Sequence, residues 1–212
     1  MARQNTLSRD SARRVYDSLA SSYDWFSFYE ARAKRRALDC LDLRPGQRVL
    51  NVGMGTGKEH QLIQQAVAPD GLACGVDISP RMLALAHQRT GALLCLADGE
   101  RLPFAGQTFD RLYCAYVLDL VPMVEIPDWL AGFRRALEPG GRMVLLSLTE
   151  GVDAASRTFV RLWKLAYAAS PIACGGCRPL QLTELAQRAG FCSLERQVIV
   201  QYGVPSEVIV AI

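Results

Sequence analysis

The sequence predicts an α/β protein built on a doubly wound, Rossmann-like and mostly parallel sheet, and three observations carry that expectation. Apolar segments of strand length alternate with segments of helical periodicity from Arg48 to Ser147. The first of these strands runs directly into Gly53, Gly55 and Gly57, and the second ends in an acid, Asp77. Glycines let the backbone turn sharply and let a ligand approach it. A carboxylate at the end of the next strand can accept hydrogen bonds from both hydroxyls of a ribose.

The chain reads as one domain over 1–212, with an N-terminal helical cap (1–44), a cofactor-binding core (45–150), a substrate lid (151–180) and a C-terminal helix with antiparallel strands (181–212). Ser8 is placed to cap a first helix carrying Val15, Tyr16 and Leu19 on one face, and a second helix is expected from about Glu30 to Leu43 before Pro45-Gly46. The central strand is Arg48–Val52; Leu62, Ile63, Ala66 and Val67 give the next helix its apolar face, and Leu72–Val76 is the second strand. Ser79-Pro80 opens a helix with a cap and a proline at its first position, and Gly91 closes it. Strands follow at Ala92–Leu96 and Phe109–Ala115, separated by the apolar plug Leu102-Pro103-Phe104. The helix marked by Trp129, Leu130, Phe133 and Leu137 stops at Pro139-Gly140-Gly141, before a strand at Arg142–Ser147.

The last third differs. Phe159, Leu162, Trp163, Ala166 and Tyr167 form an aromatic helical stripe that suits either packing or a lid over a greasy substrate. A helix at Leu182–Ala189 precedes strands at Cys192–Val200 and Glu207–Ile212, whose short connection at Tyr202–Pro205 requires an antiparallel pair.

Composition narrows the function. The chain has 212 residues, 50% of them hydrophobic and 21% charged. Its net charge of +3 is too small to argue for nucleic acid. Arg32, Lys34, Arg35 and Arg36 crowd together, as a solvated helix face or as a contact with an anionic membrane surface or acidic substrate. No apolar run is long enough to span a bilayer, so the expected location is cytoplasmic, with peripheral contact at the membrane surface as the variant. Seven cysteines in mostly apolar segments suit reduced thiols, and Cys174-Gly-Gly-Cys177 lacks the second pair a zinc site needs, so no metal is expected.

Four segments in order give the chain a family resemblance: Val49-Leu50-Asn51-Val52-Gly53-Met54-Gly55-Thr56-Gly57, Gly75-Val76-Asp77-Ile78-Ser79, Ala97-Asp98-Gly99-Glu100-Arg101-Leu102-Pro103-Phe104 and Leu137-Glu138-Pro139-Gly140-Gly141. With these the sequence resembles the class I S-adenosylmethionine-dependent methyltransferases, in particular their quinone-biosynthesis-like and type 11 group. The resemblance implies a seven-stranded sheet of order 3-2-1-4-5-7-6 with strand 7 antiparallel. It implies S-adenosylmethionine as cofactor and S-adenosylhomocysteine as product. It also implies that Gly53, Gly55 and Gly57 pass beside the methionine portion, that Asp77 holds the ribose and that Ile78 packs on the adenine. Asp98 would accept from the adenine amino group, Gly99 would lend backbone there, and Cys114 would stand on the sulfonium side.

Two positions depart from the family pattern. Asn51 stands where an acid usually helps to fix the cofactor's ammonium group, and Asp119 stands where relatives often carry His at the mouth of the substrate pocket. Tyr16, Tyr23 and Asp119 are the expected substrate contacts. The expected acceptor is a small, apolar or amphiphilic molecule such as a quinone precursor. A phospholipid N-methyltransferase of the phosphatidylethanolamine type and a catalytically silent cofactor-binding scaffold are the alternatives. An arsenite methyltransferase would need a further thiol beside Cys174 and Cys177. A nicotinamide oxidoreductase would need glycine where Lys58 stands.

Overall fold

The computed structural model describes residues 6–212; residues 1–5 of the expected N-terminal cap lie outside the described residues. Seven strands form one sheet in the order β3-β2-β1-β4-β5-β7-β6. They are β1 (Arg48–Val52), β2 (Leu72–Asp77), β3 (Leu93–Leu96), β4 (Phe109–Ala115), β5 (Leu137–Leu148), β6 (Leu194–Gln201) and β7 (Val204–Ala211). The first five pair in parallel, and β7 enters antiparallel between β5 and β6. The helices are α1 (Arg9–Leu19), α2 (Tyr23–Phe26), α3 (Ala31–Cys40), α4 (Lys58–Val67), α5 (Pro80–Thr90), α6 (Ile126–Ala136), α7 (Ala154–Ala169) and α8 (Leu182–Arg188).

Because successive strand residues point to opposite faces, β1 feeds two cores. Leu50 and Val52 join Leu112, Met143 and Ile209 under α6 and α8, while Val49 joins Tyr113, Val144 and Val208 under α3 and α4. Every residue of β7 is buried. That strand carries Glu207, whose carboxylate accepts from Leu182 N and Arg196 Nε, both at 2.8 Å, so its buried charge is paired.

Local chemistry explains the helix ends. Ser8 caps α1 by accepting from Ser11 N, and Ser79 caps α5 by accepting from Met82 N at 3.0 Å. Three expected boundaries move. The helix expected from Glu30 to Leu43 is divided: a 3-10 turn occupies Ser27–Glu30, and α3 stops at Cys40 because Asp42 takes a left-handed φ of 50°. α6 ends at Ala136 rather than at Pro139, because Leu137 already pairs with Phe109. The β4–β5 register then jumps to Arg111–Arg142, which leaves Glu138–Gly141 as an excursion within β5. The turn between β6 and β7 is only Tyr202-Gly203, with φ of 52° and 80°, so Val204–Ser206 belong to the strand.

The basic cluster also divides. Arg32, Arg35 and Arg36 are exposed, whereas Lys34 is buried with its Nζ 2.9 Å from Glu30 and 3.8 Å from Glu59. The cysteines are free thiols; Cys114 and Cys174 are buried, Cys192 is exposed, and the other four are half-buried.

Candidate cofactor and acceptor site

The site lies beyond the carboxyl ends of β1, β2, β3 and β4, where ligands bind in open α/β sheets. After β1 the chain turns through Gly53, Gly55 and Gly57, at φ of 66°, 57° and 82°. Gly53 N and Met54 N donate to Val76 O, which ties the turn to β2. A Cβ on Gly53 would stand 2.2 Å from Val117 Cγ2, whereas one on Gly55 would meet nothing within 4 Å. The backbone at Gly53 is therefore closed against the segment after β4, and that at Gly55 borders open space.

Asp77 closes this turn from below. Its Oδ2 accepts from Gly55 N at 2.8 Å and its Oδ1 from Ser79 N at 2.9 Å. Burial raises the pKa of this carboxyl, and the backbone donors act against that rise. Gly53, Gly55, Asp77 and Ile78 line one cavity of about 90 Å³, with Tyr16 and Tyr23 on its cap side. Ile78 also lines an adjoining cavity of about 80 Å³ with Asp98, Gly99 and Trp129. A Cβ on Gly99 would stand 2.3 Å from the Trp129 ring, so this glycine lets the loop lie against α6.

The helical cap is tied down by charge. Arg9 pairs with Asp98 at 2.9 Å and Glu125 at 2.8 Å, and with Glu100. Asp24 accepts from Thr56 Oγ1 at 2.6 Å and from Arg89 at 2.7 Å, and Asp17 accepts from Ser79 Oγ.

Tyr116 partitions the site. It follows β4 with a left-handed φ of 54°, which carries its ring out of the sheet, and its hydroxyl shares a hydrogen bond of 2.7 Å with Ser206. It lines the 90 Å³ cavity and also two chambers of about 270 and 220 Å³ on the other side. The larger chamber is walled by Phe28, Tyr29, Phe159 and Trp163, with Glu30 and Asp119 as its carboxyls. The smaller one is walled by Tyr16, Tyr23, Cys174 and Cys177 and shares Glu30 and Trp163. Trp163 Nε1 donates to Cys177 O at 2.9 Å and fixes the wall.

Two charged groups define the chambers. The Lys34 ammonium stands 5.4 Å from the Tyr23 ring centroid and 5.8 Å from that of Tyr116, and so neutralises Glu30 behind the tyrosine wall. Asp119 is fully buried rather than solvated. Its Oδ2 accepts from Leu148 N at 3.5 Å, while Oδ1 has no hydrogen-bond partner among the described residues. Burial, reinforced by the charge of Glu30, raises its pKa to about 7.

Gly53, Gly55, Asp77, Ile78, Asp98 and Gly99 thus gather around two adjoining cavities, and Tyr16, Tyr23 and Asp119 face the chambers beside them. Gly57 instead packs α4 on α5, where a Cβ would stand 2.9 Å from Ala86 Cβ. Asn51 is buried within β1, and its Nδ2 finds no partner among the described residues. Cys114 sits in the core below α6, and Ala115, Tyr116 and Val117 reach the cavity instead. The sequence reading missed Arg9, Glu30, Tyr116 and Val117. Position alone, at the end of β4, could have found the last two.

The sheet order is the one that the resemblance to S-adenosylmethionine-dependent methyltransferases implies. Residues 49–141 match the model of the family described as "Methyltransferase domain". That match spans less than half of the chain, and over it the chain is similar to a methyltransferase domain. Among its relatives is the demethylmenaquinone methyltransferase of Symbiobacterium thermophilum, 32% identical over 65% of this chain and 59% of that protein. The chain thus spans less than two thirds of that relative's length. Two solved structures share the fold. The N-methyltransferase NodS of Bradyrhizobium japonicum, in complex with S-adenosylhomocysteine, has a TM-score of 0.71 at 18% identity and covers 94% of this chain and 97% of its own. The phosphoethanolamine N-methyltransferase 2 of Haemonchus contortus, in complex with phosphomonomethylethanolamine and S-adenosylhomocysteine, has a TM-score of 0.70 at 16% identity and covers 95% and 60%.

Proposed function

We propose that this protein transfers a methyl group from S-adenosylmethionine to a small, apolar or amphiphilic ring acceptor of the quinone-precursor kind. The observation that carries this reading is Tyr116, which separates a glycine-lined cavity from an aromatic chamber of about 270 Å³. The cradle fits the cofactor: open space at Gly55, a carboxylate at Asp77, and an apolar slot between Ile78 and Gly99 that ends at Asp98. In this reading Gly53, Gly55 and Gly57 carry the loop beside the methionine portion, Asp77 takes the ribose, and Ile78, Asp98 and Gly99 take the adenine. Asn51 supports the loop from β1 with an amide in place of a charge, and Cys114 backs the residues on the sulfonium side. Bound there, the cofactor supplies an electrophilic methyl group. The chain's own part is to align the acceptor and exclude water, and the aromatic walls are the groups that would do so once an acceptor fills the chamber.

A second reading, an amine in a phospholipid headgroup, is favoured by the two carboxyls Glu30 and Asp119 in the same chamber. Labelled methyl transfer decides between them, with an alkyl-substituted 1,4-naphthalenediol, phosphatidylethanolamine vesicles and a water-soluble amine as acceptors. Labelling of the diol alone is the expected result. Labelling of the lipid would install the second reading, and cofactor binding with no turnover would make the protein a silent scaffold.

The rim of the chamber also suits contact with a membrane surface. Phe28 and Tyr202, 61% and 76% exposed, meet with ring centroids 5.7 Å apart, and the neighbouring Arg32 N donates to Gln201. Leu162 and Leu165 are exposed on α7 beside Trp163, and no described helix is long and apolar enough to cross a membrane. Sedimentation with anionic vesicles is expected, and to be weakened at least fivefold by Leu162→Glu with Leu165→Glu. Equal sedimentation of the double variant would remove this contact from the proposal.

A further inference from the structure

We propose that Asp119 is the proton acceptor of the reaction, its Oδ1 taking the proton from a ring hydroxyl of the acceptor. The inference rests on the ring-acceptor reading above. A hydroxyl-bearing ring becomes an effective nucleophile when its proton is removed, so the acceptor chamber must hold a base. Oδ1 of Asp119 is buried in the chamber wall and is not engaged by any described residue, so a ligand can use it without breaking an existing bond.

The other candidates in the chamber are occupied or protonated. Glu30 is held by the Lys34 ammonium at 2.9 Å. Burial pushes the Tyr16 and Tyr116 phenols and the Cys177 thiol well above their ordinary values, so they keep their protons at neutral pH. Among the described residues, the titratable or charged groups that act on Asp119 include Tyr16 from α1, Tyr29 and Glu30 from the 3-10 turn, Cys114 and Tyr116 at the end of β4, and Cys177 and Arg178 from the loop before α8. Arg178 is the cation of this set, and its backbone N and Nη1 donate to Asp119 O while Nη2 donates to Val121 O. Arg178 therefore fixes the backbone that presents Asp119, and its charge, with the Leu148 N–H, offsets only part of the rise that burial causes. That explains a carboxyl held at about 7, close to the working pH of a general base.

The step balances. The hydroxyl proton passes to Oδ1, and the electron pair it leaves on the ring forms the bond to the methyl carbon. The carbon–sulfur bond breaks with its pair retained by sulfur, and Asp119 releases its proton to water. Where a ring carbon attacks, its hydrogen moves to the ring oxygen and restores the hydroxyl.

The test compares equilibrium binding of 2-naphthol and 2-methoxynaphthalene to the wild type and to Asp119→Asn, both loaded with S-adenosylhomocysteine. A carboxylate acceptor predicts a preference for the hydroxyl compound of about tenfold at pH 8 in the wild type. This preference disappears below about pH 6, where Asp119 is protonated, and at every pH in Asp119→Asn. Retained binding of S-adenosylhomocysteine by the variant shows that it folds. With an accepted ring substrate, Asp119→Asn is expected to lower kcat by about a hundredfold or more and to abolish the acid limb of its pH profile. Equal binding of the two probes, or an unchanged preference in the variant, overturns the inference. The hydroxyl preference without any ring methylation would instead overturn the ring-acceptor reading.

Discussion

Asp77→Ala is expected to weaken S-adenosylmethionine binding by about a hundredfold or more, because hydrogen bonds to a charged group each contribute roughly 1.5–3 kcal/mol. The ribose loses its acceptor in this reading. The same carboxylate accepts from Gly55 N and Ser79 N, so its removal also frees the turn at the point where the ligand lies. Two backbone donors lose their partner, and a loss of about 1–2 kcal/mol is expected, or roughly 3–6 °C in the unfolding midpoint of a chain this long. Calorimetric titration and thermal unfolding on one preparation separate the two effects. An affinity within about threefold of the wild type would remove Asp77 from the cofactor site.

Gly53→Ala is expected to have an effect of similar size on affinity and a larger one on stability. Its Cβ would stand 2.2 Å from Val117 Cγ2, on a residue at φ of 66°. Left-handed backbone costs alanine about 1–2 kcal/mol and overpacking about 1–3 kcal/mol, together roughly 5–15 °C in the unfolding midpoint. Gly140→Ala separates the two costs, since Gly140 has φ of 77° and its Cβ would meet nothing within 4 Å. That variant should lose only the backbone part and keep its cofactor affinity. Adding Val117→Ala to Gly53→Ala should recover part of both losses. No recovery would mean that the contact with Val117 is not what Gly53 avoids.

Most of the fold was legible in the sequence because its signals are local. The alternation of β1 to β5 with α4, α5 and α6 follows from period and punctuation, and Ser8 and Ser79 are caps visible as residue types. Boundaries moved where a long-range pairing overrode a local stop, as at Leu137, which pairs with Phe109 before the glycines arrive. The residues proposed for the cofactor were readable for the same reason as the strands, since they sit at strand ends. The aromatic chambers proposed for the acceptor were much less so. Glu30 reads as a helix residue and Lys34 as part of a solvated cluster, and only the packing of α3 beneath the chambers makes them a buried pair. Tyr116 carries no signal of its left-handed backbone, which is imposed by the exit from β4. Asp119 was singled out by position, but its burial is a property of the loop that Arg178 holds from 59 residues away.

The insertion of β7 between β5 and β6 has a consequence for how the chain is made. The partner that covers the outer edge of β5 comes from residues 204–211, later in the chain than every other strand. On the ribosome, β1 to β5 can assemble while that edge still presents unpaired backbone donors and acceptors beside buried-type residues such as Val144 and Leu146. The nascent protein therefore passes through a stage with an open, sticky sheet border, and closure of the domain waits for a hairpin whose two-residue turn, Tyr202-Gly203, brings both missing strands in together.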